Sequence, residues 1–160
     1  MDSNEAFEKI LRAFEQYYTV KTQDVTPPFC AEAEFRSHNE QYFLVKSAKV
    51  ADIDSNDFVF FAKEQSLTVN QLSHLEQTAW QTGLSRVTPY YGHRNSDVTL
   101  VIVADTIEAD AFKRVKKLKH YKSYKFSLFG WSSFRAVAYE TSSGKVTYNM
   151  RGSDLKKLVS

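Results

Sequence analysis

The chain has 160 residues, a net charge of +2, 42% hydrophobic and 25% charged residues. Its 12 Phe, 9 Tyr and 2 Trp give enough apolar surface to exclude disorder as the main state, and a domain of this length buries roughly 70% of its unfolded surface without disulfides or metal. The charge is unevenly spread: residues 1–110 carry 9 Lys and Arg against 17 Asp and Glu, whereas residues 111–160 carry 12 against 2.

Ser3 is the expected N-cap of a first helix. Phe7, Ile10, Leu11, Phe14 and Tyr18 recur at helical spacing and form its apolar face. The helix is expected to stop before Thr26-Pro27-Pro28, because a residue preceding proline avoids the α region. Phe29 to Arg36 alternates with period two and predicts a strand. Ser37 to Glu40 reads as a hairpin turn, Gln41 to Lys46 as a second strand, and Asp52 to Asp57 as a polar loop. Phe58 to Ala62 is a third strand, rich in β-favouring residues.

Thr68-Val69-Asn70-Gln71 is a capping box that opens a second helix with Leu72, Leu75 and Ala79 on its face. Gly83 is expected to end it in the left-handed conformation. Pro89 makes Arg86 to Tyr91 an edge strand or loop, and Gly92 to Ser96 a turn. Val98 to Val103 reads as a strand buried on both faces. Asp105 to Glu108 reads as another capping box, opening a helix to about His120 with Ile107, Ala111, Val115 and Leu118 inward. Tyr124, Phe126 and Leu128 have strand spacing and are expected to face the core. Trp131 to Glu140 and Lys145 to Asn149 are the last strands, and Ser153 or Asp154 caps a short terminal helix. The order α-βββ-α-β-α-βββ-α predicts a single α+β domain over residues 1–160 with a mainly antiparallel sheet.

The search for chemistry is mostly negative. The glycines at 83, 92, 130, 144 and 152 never cluster, so no phosphate loop can form and no cofactor is expected. His38, His74, His93 and His120 lack metal-ligand spacing. Cys30 has no neighbouring base to lower its pKa and reads as a half-buried strand residue. No catalytic residue is assigned. One cysteine, an acidic N-terminus without a secretory core, and no apolar run near the ~20 residues of a membrane span point to a cytoplasmic, bacterial-type protein without membrane contact.

The best functional lead is a basic, aromatic-laced segment. Lys113, Arg114, Lys116, Lys117, Lys119, Lys122 and Lys125 occur without an intervening acid, followed or interleaved by Tyr121, Tyr124, Phe126, Phe129, Trp131 and Phe134, then by Arg135. Such cations neutralise phosphates and release counterions, and exposed aromatics stack on unpaired bases. This predicts a non-enzymatic module that contacts nucleic acid or another polyanion. The bland alternative is a solvated face whose lysines complement the negative end of a helix. The third is an interface with a protein partner or a second copy, driven by the charge asymmetry.

Two resemblances bear on this reading. The order of elements over residues 3–103 is similar to the core of PD-(D/E)xK nucleases. That resemblance implies a Mg²⁺ site built from an acid on one strand and an acid-x-Lys on the next. Lys63 matches the lysine and Glu34 the first acid, but Phe61 stands where the second acid belongs. The implied protein is therefore a catalytically degenerate relative. Separately, AEAEFRSHNEQYFLVKSAK (31–49), RVTPYYGHRNSDVTLVIVAD (86–105) and YKSYKFSLFGW (121–131) resemble an uncharacterised family of small cytoplasmic bacterial proteins. This resemblance implies an α+β domain of unknown function over nearly the whole chain.

Overall fold

A computed structural model describes residues 2–36, 54–88, 93–126 and 128–159. The first helix, α1 (Ser3–Glu15), is capped by Asp2 rather than Ser3, its carboxylate accepting the Glu5 N–H at 2.8 Å. It ends well before the prolines, because the chain then forms β1 (Thr19–Lys21), antiparallel to β2 (Ala31–Arg36). β2 pairs with β3 (Asp54–Leu67), also antiparallel. The run 54–57, expected as a loop, is thus the start of a long strand. Its buried Asp57 is tolerated there because neighbouring side chains hydrogen-bond it. The turn at 37–40 and the strand at 41–46 lie outside the described residues, as do residues 89–92.

The Thr68/Gln71 capping box closes reciprocally at 3.1 and 3.0 Å and starts α2 (Val69–Ser85). Gly83 does not stop this helix but lies inside it. A Cβ at Gly83 would sit 2.5 Å from a Val98 methyl, so glycine here permits close packing of helix on sheet. β4 (His93–Ile107) runs parallel to β3 and includes residues 93–96, expected as a turn. It also runs through the second expected capping box. The Ile107 N–H donates to the Glu140 carboxylate at 2.6 Å, and α3 (Ala109–Val115) begins behind Glu108 with no side-chain cap. The chain continues through β5 (Tyr121–Ser123), β6 (Trp131–Glu140) and β7 (Lys145–Tyr148). A 3-10 turn (Met150–Leu155) and α4 (Lys156–Val159) end it.

The seven strands among the described residues form one sheet in the order β1-β2-β3-β4-β6-β5, with β7 also on β6. Most pairings are antiparallel, yet the two longest ladders, β3 with β4 and β4 with β6, are parallel. The crossovers through α2 and α3 account for this, since parallel neighbours need a long return. The architecture is α+β, with helices on both faces. Phe58, Phe60, Leu100, Ile102 and Phe134 pack under α2 and α3. Val59, Phe61, Val101, Val103 and Val137 pack under α1 and α4. Burial on both faces explains why the central strands read as continuous apolar runs.

The outer edge of β6 is only partly covered. β5 pairs with residues 131–133 and β7 with 137–140. Between them no strand among the described residues pairs. The Phe134 N–H donates to the His120 carbonyl at 3.0 Å, and the Ala136 N–H to the Asn149 side-chain carbonyl at 3.0 Å. The buried Asn149 amide then donates to the carbonyls of Leu118 and Phe134, at 2.9 and 3.0 Å. One side chain thereby fastens the end of the α3 segment, β6 and the chain after β7. The result is a notch in the sheet edge.

Candidate anion-binding surface

A cleft of about 400 Å³ occupies that notch. One wall is Lys116 to Tyr121, the other Asn149 to Arg151, and Ser133 and Phe134 lie between. Four cations line it, Lys116, Lys117, Lys119 and Arg151, and no carboxylate does. His120 backs the cleft. Its ring stacks on Trp80 at 5.1 Å and 19°, and one nitrogen lies 2.8 Å from the Glu76 carboxylate.

The structure shortens the expected helix. α3 ends at Val115, followed by a turn at Lys116-Lys117 and an irregular stretch to His120. Lys113 and Arg114 occupy its last turn and complement its negative end. Lys119, Lys122 and Lys125 lie beyond the reach of that dipole, which fades within one turn. Lys113, Arg114, Lys116, Lys117, Lys119, Lys122 and Lys125 are all exposed. Among the described residues none of the seven forms an ion pair. Lys122 Nζ lies 5.6 Å from the centre of the Tyr124 ring, a cation–π contact.

The expectation that Phe126 and Leu128 face the core is overturned, whereas Tyr124 is half-buried with its hydroxyl 2.9 Å from that of the buried Ser132. Ser123 pairs with Trp131, the first residue of β6, so the chain beyond Ser123 has no strand to pair with and must reverse. It does so through Lys125 and Phe126, both left-handed at φ 50° and 54°. The Leu128 N–H donates to the Lys125 carbonyl, the Phe129 N–H to the Tyr124 carbonyl, and the Tyr124 N–H to the Gly130 carbonyl, at 3.0, 3.1 and 2.9 Å. This hydrogen-bonded loop leaves Phe126 98% and Leu128 62% exposed. Two positive-φ side chains cost roughly 1–2 kcal/mol each, and a solvated phenylalanine recovers none of that by burial. Tyr121 and Met150 are exposed beside the same notch. Sequence reasoning missed Met150, Arg151 and Ser133, which belong to a turn and a strand folded back from elsewhere in the chain.

Arg135 does not join the basic surface. It lies on the α1 side of the sheet, in register with Thr99, and donates to Asp57 at 3.0 Å. Tyr18 and Thr99 donate to the same carboxylate, each at 2.7 Å. Burial pulls the Arg135 pKa down, but Asp57 and the nearby Tyr18 and Asp97 outweigh it and push it up. Burial, reinforced by Asp57, pushes the Tyr18 hydroxyl well above its usual pKa, so it stays a donor. Burial, with Asp57 alongside, also lifts the Asp97 carboxyl from 3.8 to about 6, against the pull of Arg135 and Arg151.

Lys63 and Glu34 are not brought together. Glu34 pairs with Phe58 on the α2 side, while Lys63 reaches Asn4 and the Phe7 ring of α1 on the other. Phe61 is buried edge-on against the Phe7 and Phe14 rings, a packing role. Among the described residues no group of three His, Cys, Asp or Glu is placed to hold a metal ion. Cys30 is half-buried, and burial pushes its thiol pKa up, the opposite of nucleophile activation. A second cleft of about 360 Å³ holds the buried Glu32, which accepts from Arg86 and from the Thr26 N–H, both at 2.6 Å. Burial works to raise the Glu32 pKa, and these hydrogen bonds prevail and hold it low.

Fold and site together define a small α+β domain with helices on both faces of one sheet and an unpaired basic edge. The chain belongs to the domain of unknown function DUF8052, whose family model matches residues 2–160. No curated protein and no solved structure matches the chain.

Proposed function

We propose that this domain is a non-enzymatic binding module that contacts nucleic acid or another polyanion through the edge formed by residues 113–128 and Arg151. One observation carries the reading: seven exposed cations, none with an ion pair among the described residues, lie on the chain leading into a loop that presents Phe126 and Leu128 to solvent. Cations that complement an internal acid would need no ligand, whereas these pair with no acid among the described residues. Aromatic and apolar groups among them add stacking surface. The single half-buried cysteine favours a cytoplasmic location, where such polyanions are abundant.

Fluorescence anisotropy with labelled single-stranded DNA and RNA across a salt series tests this. Affinity is expected to fall steeply with salt, because each phosphate neutralised adds roughly 0.7 to the slope of log K on log salt. Changing Lys116, Lys117, Lys119 and Lys122 to Glu is expected to abolish binding at about 100 mM salt while the circular dichroism spectrum is unchanged. No binding at low salt, or none lost in the variant, overturns the reading. Light scattering at low and high salt separates the competing self-association, for which a salt-sensitive dimer is required.

A further inference from the structure

We infer that the notch between β5 and the 3-10 turn is a subsite for one nucleoside phosphate unit, an inference that rests on the polyanion reading of the surrounding surface. The cleft measures about 400 Å³, within the range of small-ligand sites. Its rim supplies charge for the phosphate through Lys116, Lys119 and Arg151, and no lining residue is acidic. Tyr121, Phe134 and Met150 supply an aromatic and apolar wall for a base. A flat surface that merely attracts phosphates needs no such wall.

Ser133 adds a second, independent feature. It lines the cleft, is only 3% exposed, and its hydroxyl has no hydrogen-bond partner among the described residues. A buried hydroxyl left unsatisfied destabilises a fold, so such groups are rare unless something else uses them. Strand register places Asp57, Asp97, Ser133 and Tyr121 in one row across four strands, and residues in such a row share a face. Asp57 in that row is hydrogen-bonded by Tyr18, Thr99 and Arg135. Ser133 is the point where the buried row meets the cationic cleft. Its hydroxyl donates to a phosphate or base oxygen, which the lysines and Arg151 bring within reach.

Isothermal titration calorimetry on the full chain tests this with adenosine 5′-phosphate, adenosine, inorganic phosphate, and ten-nucleotide single strands with and without a 5′-phosphate. The nucleotide is expected to bind at least about tenfold more tightly than adenosine or phosphate, since only it engages both rim and wall. Ser133→Ala is expected to weaken nucleotide binding by more than about tenfold, the equivalent of one charge-assisted hydrogen bond, while the thermal midpoint holds or rises. Arg151→Glu is expected to weaken it by more than about tenfold. Changing Lys122 and Lys125 to Glu, outside the cleft, is expected to leave nucleotide affinity within about twofold and to weaken the strands. A strand preferred for its 5′-phosphate identifies a strand end as the source of the unit, and no preference identifies a free nucleotide. Phosphate binding as tightly as the nucleotide, or nucleotide binding unchanged in both Ser133→Ala and Arg151→Glu, overturns the subsite. Strand binding that persists in that case leaves the surface reading intact. Nucleotide binding without strand binding does the reverse.

Discussion

Two groups of charges lie within a few residues of each other along β6 and are arranged in opposite ways. On the α1 side, Arg135, Tyr18 and Thr99 converge on one buried carboxylate, Asp57, and each donor has its acceptor. At the outer edge, Lys116, Lys119, Lys122 and Lys125 are exposed and none forms an ion pair among the described residues. The first arrangement holds strands together, since an unpaired charge inside would be costly. The second contributes little to the fold and leaves its charge available. A positive side chain thus has two meanings, and burial with a partner separates them. Arg135 shows it directly: by sequence it belongs to the basic cluster, by position it belongs to Asp57.

Breaking the buried group gives the largest expected effect. Asp57→Ala leaves the Arg135 guanidinium, Tyr18 and Thr99 without their acceptor and is expected to lower stability by about 3–5 kcal/mol in denaturant unfolding. A loss under about 1 kcal/mol would show that these bonds do not hold the strands.

Asp97→Asn sharpens the contrast from the other direction. The Asp97 carboxyl has its pKa lifted from 3.8 to about 6, so between those values the native state binds more protons than the unfolded one. Stability from this group therefore falls as pH rises from about 4 to 6 and is level above that. The asparagine variant is expected to remove that slope and gain up to about 3 kcal/mol at pH 7, read from thermal midpoints across pH 4–7. A variant less stable than the parent at pH 7 contradicts it.

The smallest effect is expected at the edge. Lys119→Ala and Lys125→Ala are expected to change stability by no more than about 0.5 kcal/mol, because neither makes an ion pair to lose among the described residues. A loss above about 1 kcal/mol would place these lysines in the fold and dissolve the distinction.

Local chemistry was legible where it acts over a few residues. The Thr68/Gln71 box, the apolar face of α1 and the buried runs 58–62 and 98–103 all follow from spacing alone. The second capping box failed because Ile107 found a better partner in Glu140, far along the chain, and the strand ran on through it. Alternation at Tyr124, Phe126 and Leu128 failed for a related reason. A period of two marks a strand only if another strand is present to pair with, and β6 begins too late. The basic residues were visible as a run, but not their neighbours Ser133 and Arg151.

By itself the sequence determined the α+β class, the helices α1 and α2, the central strands and the uneven placement of charge, because periodicity, caps and composition are local properties. Only the tertiary structure decided that Arg135 is partly buried against Asp57, that Phe126 is exposed, and that Lys116 to Tyr121 face Asn149 to Arg151 across a notch. Those facts depend on which strand pairs with β6 at each residue. That is fixed by contacts between segments distant in the chain, and no local pattern records it.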